Sequence, residues 1–209
     1  MECASVLKSN STRPPPQEGS RAVKLVVLGD DGAGKTSLVA AYADKRFLND
    51  DERKDIYDAF SVGVDIEGKA IDFRVNDTVG EEGYDRLRPL VYPGTHVMIL
   101  VYSAGSPDSL RNVQTKWLPE IDHHASIRVP PLVLVANKTD LRGDHDKETL
   151  VTTEQGKKVA RKIGAEHLEC SAKTGEGVEA VFDVACRLGV GESDRPTLRP
   201  ICRGGPCII

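Results

Sequence analysis

The amino-acid sequence predicts an α/β fold: a doubly wound, mostly parallel sheet of six strands with helices on both faces. Three observations carry that prediction. Short, near-continuous apolar runs such as VKLVVLG and HVMILVYS alternate with longer segments of helical periodicity, the pattern of strands covered on both faces by crossover helices. The first such strand runs directly into the glycine-rich stretch GDDGAGKT and then a helical pattern. Two later strand patterns are separated only by the turn Glu67-Gly68-Lys69, which is too short for a crossover and implies an antiparallel pair.

The elements follow in order. VKLVVLG is a strand, and KTSLVAAYADKRF is the helix that the glycine-rich loop opens. SVGVDI and AIDFRVND form the antiparallel pair, and HVMILVYS is a buried strand. SPDSLRNVQTKWLPEI reads as one helix, with Pro107 suited to its first turn. PLVLVANK is the next strand, and TTEQGKKVARKIG is a helix with an N-capping threonine that stops at Gly164. EHLECSA and GVEAVFDVACRLG supply the last strand and the last helix. Outside these elements, residues 1–21 are polar and carry PPP, which reads as a disordered arm. Residues 22–189 form a single domain, and residues 190–209, rich in Pro, Gly and Arg, read as a flexible tail.

Composition narrows the functional classes. The chain has 209 residues and a net charge of -4, which gives no electrostatic reason to expect nucleic-acid binding. No apolar run reaches the roughly 20 residues that span a bilayer. MECASVLKSN is too short and too polar for a secretory leader, so a cytoplasmic protein is expected. The five cysteines show no metal-ligand spacing, and Cys170 and Cys186, in apolar contexts, are expected to be buried thiols. Monomer is the default expectation.

The loops carry the chemistry. Gly29, Asp30, Asp31, Gly32, Ala33, Gly34, Lys35, Thr36 and Ser37 complete a phosphate-binding loop between strand and helix. Its glycines let successive backbone N–H groups turn toward an anion, and the helix N-terminus adds a favourable dipole. Lys35 would reach the β- and γ-phosphates, and the Thr36 hydroxyl would ligate Mg²⁺. The base is chosen elsewhere. In NKTD, Asn137 to Asp140, the Asp140 carboxylate can accept from both the ring N–H and the exocyclic amine of guanine, a donor pair that adenine lacks. Asn137 and Lys138 would brace the loop and cover the base. In SAKTG, Ser171 opens a loop whose Ala172 N–H could bind guanine O6 while Lys173 packs beside the base. Asp77, at a strand end, fits a carboxylate that holds Mg²⁺ from outside its inner sphere, through water, and Gly80, three residues on, offers an N–H to the γ-phosphate.

With these motifs, the chain resembles the Ras-like small GTPases, and within them the Rho family, over about residues 24–188. YDRLRPLVYPGTHVMILVYS, SPDSL, KWLPE, NKTDLR and ECSAKTGEGV are similar to Rho sequences. The resemblance implies a small G-protein fold and a GTP/GDP switch with Mg²⁺. It also implies effectors that read the triphosphate state, with exchange factors and GTPase-activating proteins that set its lifetime. It places Phe47 against the guanine ring, and Glu81 beside Lys35 and Gly80 in the hydrolytic machinery.

Four departures from the family pattern bear on rate. Asp31 stands where the family has glycine and brings a carboxylate toward the γ-phosphate. Glu81 stands where a glutamine orients the attacking water. Val79 replaces a small alanine. The stretch from Phe47 to Val64 contains no threonine to close over Mg²⁺ and the γ-phosphate; aligned with one inserted residue, Asp55 or Lys54 takes that place, behind the acidic cluster Asp50, Asp51 and Glu52. The expected result is guanine-nucleotide binding with slow hydrolysis. A non-hydrolysing module presenting one fixed surface is the alternative, and NKTD argues against a kinase or ATPase. RGDHDKETLVTTEQG is too short for the full helical insertion of the Rho family. The chain ends PCII, with Cys207 third rather than fourth from the end. Prenyl anchoring at the cytoplasmic face of the plasma membrane, acylation of Cys202 or Cys207, and a plain disordered tail all stay open.

Overall fold

The computed structural model describes residues 16–47, 60–66, 68–124, 129–143 and 150–191. The first-loop readings on Asp50, Asp51, Glu52, Lys54 and Asp55 lie outside the described residues. So do most of the N-terminal arm, residues 144–149 of the stretch RGDHDKETLVTTEQG and the tail cysteines.

Among the described residues six strands form one sheet: β1 (Arg21–Gly29), β2 (Phe60–Ile66), β3 (Lys69–Asp77), β4 (Val97–Ser103), β5 (Leu132–Asn137) and β6 (Glu166–Glu169). Their order is β2-β3-β1-β4-β5-β6. Only β2 and β3 pair antiparallel; β1 pairs parallel with both β3 and β4, and β5 and β6 continue parallel. The chain thus winds outward in both directions from β1, whose neighbours are β3 and β4, and sheets of this kind bind ligands outside the carboxyl ends of their strands.

Period-two alternation along β1 divides the core between two layers. Val23, Leu25 and Val27 face one cluster with Tyr42 and Phe182, whose rings stack at 3.9 Å. Val26 and Leu28 face a second cluster containing Trp117, Leu110 and Ile121. Helices α1 (Lys35–Asp44) and α5 (Val178–Val190) supply the first layer. Helices α2 (Pro107–Asn112), α3 (Leu118–His124) and α4 (Thr153–Ile163) supply the second. The apolar runs are buried on both faces because both layers close over them.

Local chemistry explains the helix ends. Ser106 caps α2 through the Ser109 N–H, with Pro107 at the first position. Thr152 and Gln155 form a reciprocal capping box on α4, and Gly164, in the left-handed region at φ 68°, ends it. The single helix expected over 106–121 is instead interrupted. Between α2 and α3, Val113–Trp117 forms a π-helical turn in which the Leu118 N–H reaches back to the Val113 carbonyl. Pro119 follows at once; it has no N–H to give Thr115, and its ring crowds that carbonyl, so the helix widens ahead of it. The buried thiols expected at Cys170 and Cys186 are found. No helix among the described residues is long and apolar enough to cross a membrane.

Candidate functional site

A cavity of about 340 Å³ opens at the carboxyl edge of the sheet. On one side lie Asp31, Gly32, Gly34, Lys35, Thr36 and Ser37; on the other lie Asn137, Lys138, Asp140, Ala172 and Lys173. Phe47 forms part of the wall and is 40% exposed. Three stretches, the second about a hundred residues after the first and the third about thirty residues further on, therefore meet in one place. Leu141 also lines the cavity, a position the sequence reading passed over although it directly follows Asp140.

The phosphate loop turns through Gly32 and Gly34, both at positive φ, and Gly34 forms the N-cap of α1. A Cβ at Gly34 would come within 2.5 Å of the Asn137 Nδ2, so backbone conformation and close approach both require glycine there. Lys35 is buried, and its Nζ donates to the Asp30 carbonyl at 2.9 Å. Burial lowers the Lys35 ammonium from its ordinary value, while Asp77 and Asp31 draw it upward. The ammonium is thus held at the base of the loop by carbonyl and carboxylates.

The Thr36 hydroxyl donates to Asp77 Oδ2 at 2.5 Å, and Asp77 Oδ1 accepts the Thr78 N–H at 3.0 Å. Two oxygens, from the start of α1 and the end of β3, are thereby brought together. Mg²⁺ is commonly held by one or two protein oxygens, with phosphate and water completing the octahedron. This pair fits that cation.

Asn137 ties the loops together. Its Nδ2 donates to the carbonyls of Ala33 and Gly34, at 3.2 and 3.1 Å. Its Oδ1 accepts the N–H groups of Lys138 and Ala172, at 2.8 and 3.1 Å. The Ala172 N–H, expected to reach guanine O6, is thus directed to Asn137. Lys138 has a positive φ of 62° and stretches its ammonium to the Gly32 carbonyl at 2.6 Å. Asp140 Oδ1 accepts the Ser171 hydroxyl at 2.6 Å, which orients the carboxylate.

The second loop rests on the first. A Cβ at Gly80 would lie 2.5 Å from the Asp31 nitrogen and 2.7 Å from the Asp30 carbonyl carbon. Asp31 Oδ1 accepts the Gly32 N–H at 2.9 Å, so its carboxylate already engages a donor of the phosphate loop. Glu81 is exposed and extended, with φ -66° and ψ 145°, and its side chain is not part of the cavity wall. Asp30 turns its carboxylate out of the site: Oδ2 accepts from Asn112 Nδ2 and Oδ1 from Trp117 Nε1, each at 2.7 Å. Arg88 is another strongly engaged neighbour with no motif to announce it. It donates to the carbonyls of Val79 and Glu81.

Comparison with known proteins agrees with this geometry. Residues 24–189 match the family model described as Ras family. The chain is 41% identical over 186 residues to the GTP-binding protein rho1 of Schizosaccharomyces pombe, an alignment covering 85% of this chain and 90% of that protein. It is also 41% identical over 176 residues to the Rho-related GTP-binding protein RhoB of Homo sapiens, covering 80% and 88%, and equally to RhoB of Mus musculus.

Proposed function

The chain belongs to the Ras family and is a Rho-like small GTP-binding protein, and from that premise we propose that the cavity holds GTP or GDP with Mg²⁺ and hydrolyses GTP slowly. Lys35 and the loop N–H groups take the phosphates, Thr36 and Asp77 hold the cation, and Asp140 selects guanine. The observation that carries the reading is Asn137, one buried side chain bonded to both the phosphate loop and the Ala172 loop. Phosphate and base subsites are held at a fixed separation by it.

Slow turnover follows from Asp31 and Glu81. The Asp31 carboxylate stands on the phosphate loop and accepts one of its N–H groups. A carboxylate there repels the γ-phosphate and takes a donor that would serve it. Glu81 lacks the amide donor that orients water, and losses of this kind cost orders of magnitude in rate. Effectors, exchange factors and GTPase-activating proteins are the expected partners. Of the readings open for the tail, lipidation at Cys202 or Cys207 is the one that would bring the chain to the cytoplasmic face of a membrane.

A second reading, a nucleotide-binding module without hydrolysis, is favoured by the missing threonine between Phe47 and Val64. Single-turnover hydrolysis of bound GTP separates the two, with the Asp31→Gly, Glu81→Gln double variant alongside. A slow wild type and a faster double variant support the impaired enzyme. Tight GTP binding with both proteins inert supports the module. A wild type as fast as ordinary small GTPases refutes both, and equal competition by ATP refutes the guanine assignment.

A further inference from the structure

On the guanine-nucleotide reading above, some part of the protein must aim the second loop at the nucleotide. Arg88 lies in a short 3-10 turn, Arg88–Val91, with its side chain 1% exposed. Its Nε donates to the Val79 carbonyl at 3.0 Å. Its Nη2 donates to the Glu81 carbonyl at 3.0 Å and to Asp85 Oδ1 at 2.8 Å. Its Nη1 donates to Glu120 Oε2, on α3, at 2.7 Å. The Tyr92 hydroxyl donates to the other Glu120 oxygen. A buried guanidinium is tolerated only with charge and hydrogen bonds compensated, and here both are.

The two backbone carbonyls that Arg88 grips bracket Gly80. The Val79 carbonyl and the Gly80 N–H belong to one planar trans peptide, so they point in opposite directions. Holding the carbonyl on Arg88 therefore holds the N–H facing away from Arg88. The Gly80 backbone is itself seated on the phosphate loop. The same N–H is the donor assigned to the terminal phosphate.

Behind Arg88 stands Trp117. The guanidinium carbon lies 4.7 Å from the centroid of its ring, a cation–π contact in a buried setting. Trp117 is fully buried and closes the π-helical turn, and its Nε1 holds the Asp30 carboxylate of the phosphate loop. Such turns are frequent at functional positions in helices. A continuous chain of contacts thus runs from Asp30 through Trp117 and Arg88 to the peptide between Val79 and Gly80.

We propose that Arg88, seated on Trp117 and paired with Glu120, is a positioning residue that aims the Gly80 N–H at the terminal phosphate. Trp117 keeps the phosphate loop in register with that peptide through Asp30. Preference for triphosphate over diphosphate then depends on side chains outside the nucleotide cavity.

The test uses the full chain loaded, in separate samples with Mg²⁺, with fluorescent GDP or a fluorescent non-hydrolysable GTP analogue. Dissociation rates are measured for wild type, Arg88→Lys, Trp117→Phe and Glu120→Gln. Arg88→Lys keeps the charge but loses the fork that spans both carbonyls. One lost bond to a charged phosphate corresponds to about tenfold faster release of the triphosphate analogue. GDP release should stay within about twofold of wild type. Trp117→Phe keeps an aromatic ring but not the N–H, and should shift the same ratio in the same direction. If the variants speed both releases equally, or neither, Arg88 is merely structural and the proposal is overturned. If Arg88→Lys does not fold, Glu120→Gln carries the test, because it keeps side-chain size while removing the charge that anchors the guanidinium; an unchanged ratio there overturns the proposal as well. A wild type that binds neither nucleotide overturns the reading of the site and this proposal with it, a result distinct from an unshifted ratio.

Discussion

Replacing Asn137 by alanine should destabilise the protein even with no nucleotide bound. Asn137 is fully buried and makes four hydrogen bonds to the backbone of three loops. Two of the partners left behind, the Ala33 carbonyl and the Ala172 N–H, belong to buried bonds. The Gly34 carbonyl and Lys138 N–H are only partly buried, and water can satisfy them. Two stranded buried groups at roughly 1–2 kcal/mol each give a loss of about 3 kcal/mol. For a domain of this size that corresponds to a fall of about 6–12 °C in Tm. Urea unfolding followed by circular dichroism, with nucleotide removed, measures it directly. The m-value should not change, because the surface exposed on unfolding is the same. Asn137→Asp is expected to be at least as damaging near neutral pH, since it turns an oxygen toward the carbonyls of Ala33 and Gly34. A loss below about 1 kcal/mol for Asn137→Ala would show that the loops hold one another without this side chain.

Three other outcomes are expected. Gly80→Ala places a Cβ against the backbone of Asp30 and Asp31, so the second loop must withdraw; GDP affinity should persist while affinity for a GTP analogue falls about tenfold, as read by titration calorimetry. Burial lowers the His167 ring from its ordinary 6.5, with Glu169 pulling partly the other way. The unfolded chain therefore takes the proton more readily: the neutral ring's contribution is complete above about pH 6.5 and is lost as pH falls through the lower folded value. Thermal melts at pH 7.5 and 5.5 should then differ less for His167→Gln than for wild type. Burial, and secondarily Glu169, push the Cys170 thiol up to about 12, so iodoacetamide near pH 8 should label it only after unfolding, as mass spectrometry of the peptide would report.

Much of this architecture is written locally. The strand–loop–helix around Lys35 needs only an apolar run, three glycines and a helix start, all contiguous. The cap at Thr152 and the stop at Gly164 likewise depend on neighbours within four residues. The antiparallel β2–β3 pair follows from a turn too short to cross over. What the sequence did not disclose depends on partners far away in the chain. Arg88 sits in YDRLRPL, where a second arginine close to Asp85 and Arg86 reads as part of a solvated surface, yet it is buried and paired with Glu120, 32 residues on. Asp30 reads as a loop carboxylate near phosphate; its direction is set by Asn112 and Trp117, more than 80 residues away. The π-helical turn has a local cause in Pro119, but a single widened turn leaves the hydrophobic spacing nearly unchanged. Asn137 reads as a brace from NKTD alone, but which atoms it braces emerges only when β5 ends beside the loop that follows β1.

The parallel pairing of β1 has a consequence for how the molecule is made. The central strand is the first to leave the ribosome, but its partners β3 and β4 lie about 50 and 72 residues later in the chain. Pairings of such separation must close long loops before they return any stabilisation, which slows folding. The phosphate loop, translated early, gains its last supports only when Asn137 and the Ala172 loop arrive. During synthesis the apolar β1 thus waits for partners that do not yet exist. Ligand cannot capture the nascent chain in that interval, because the site is among the last parts of the molecule to be completed.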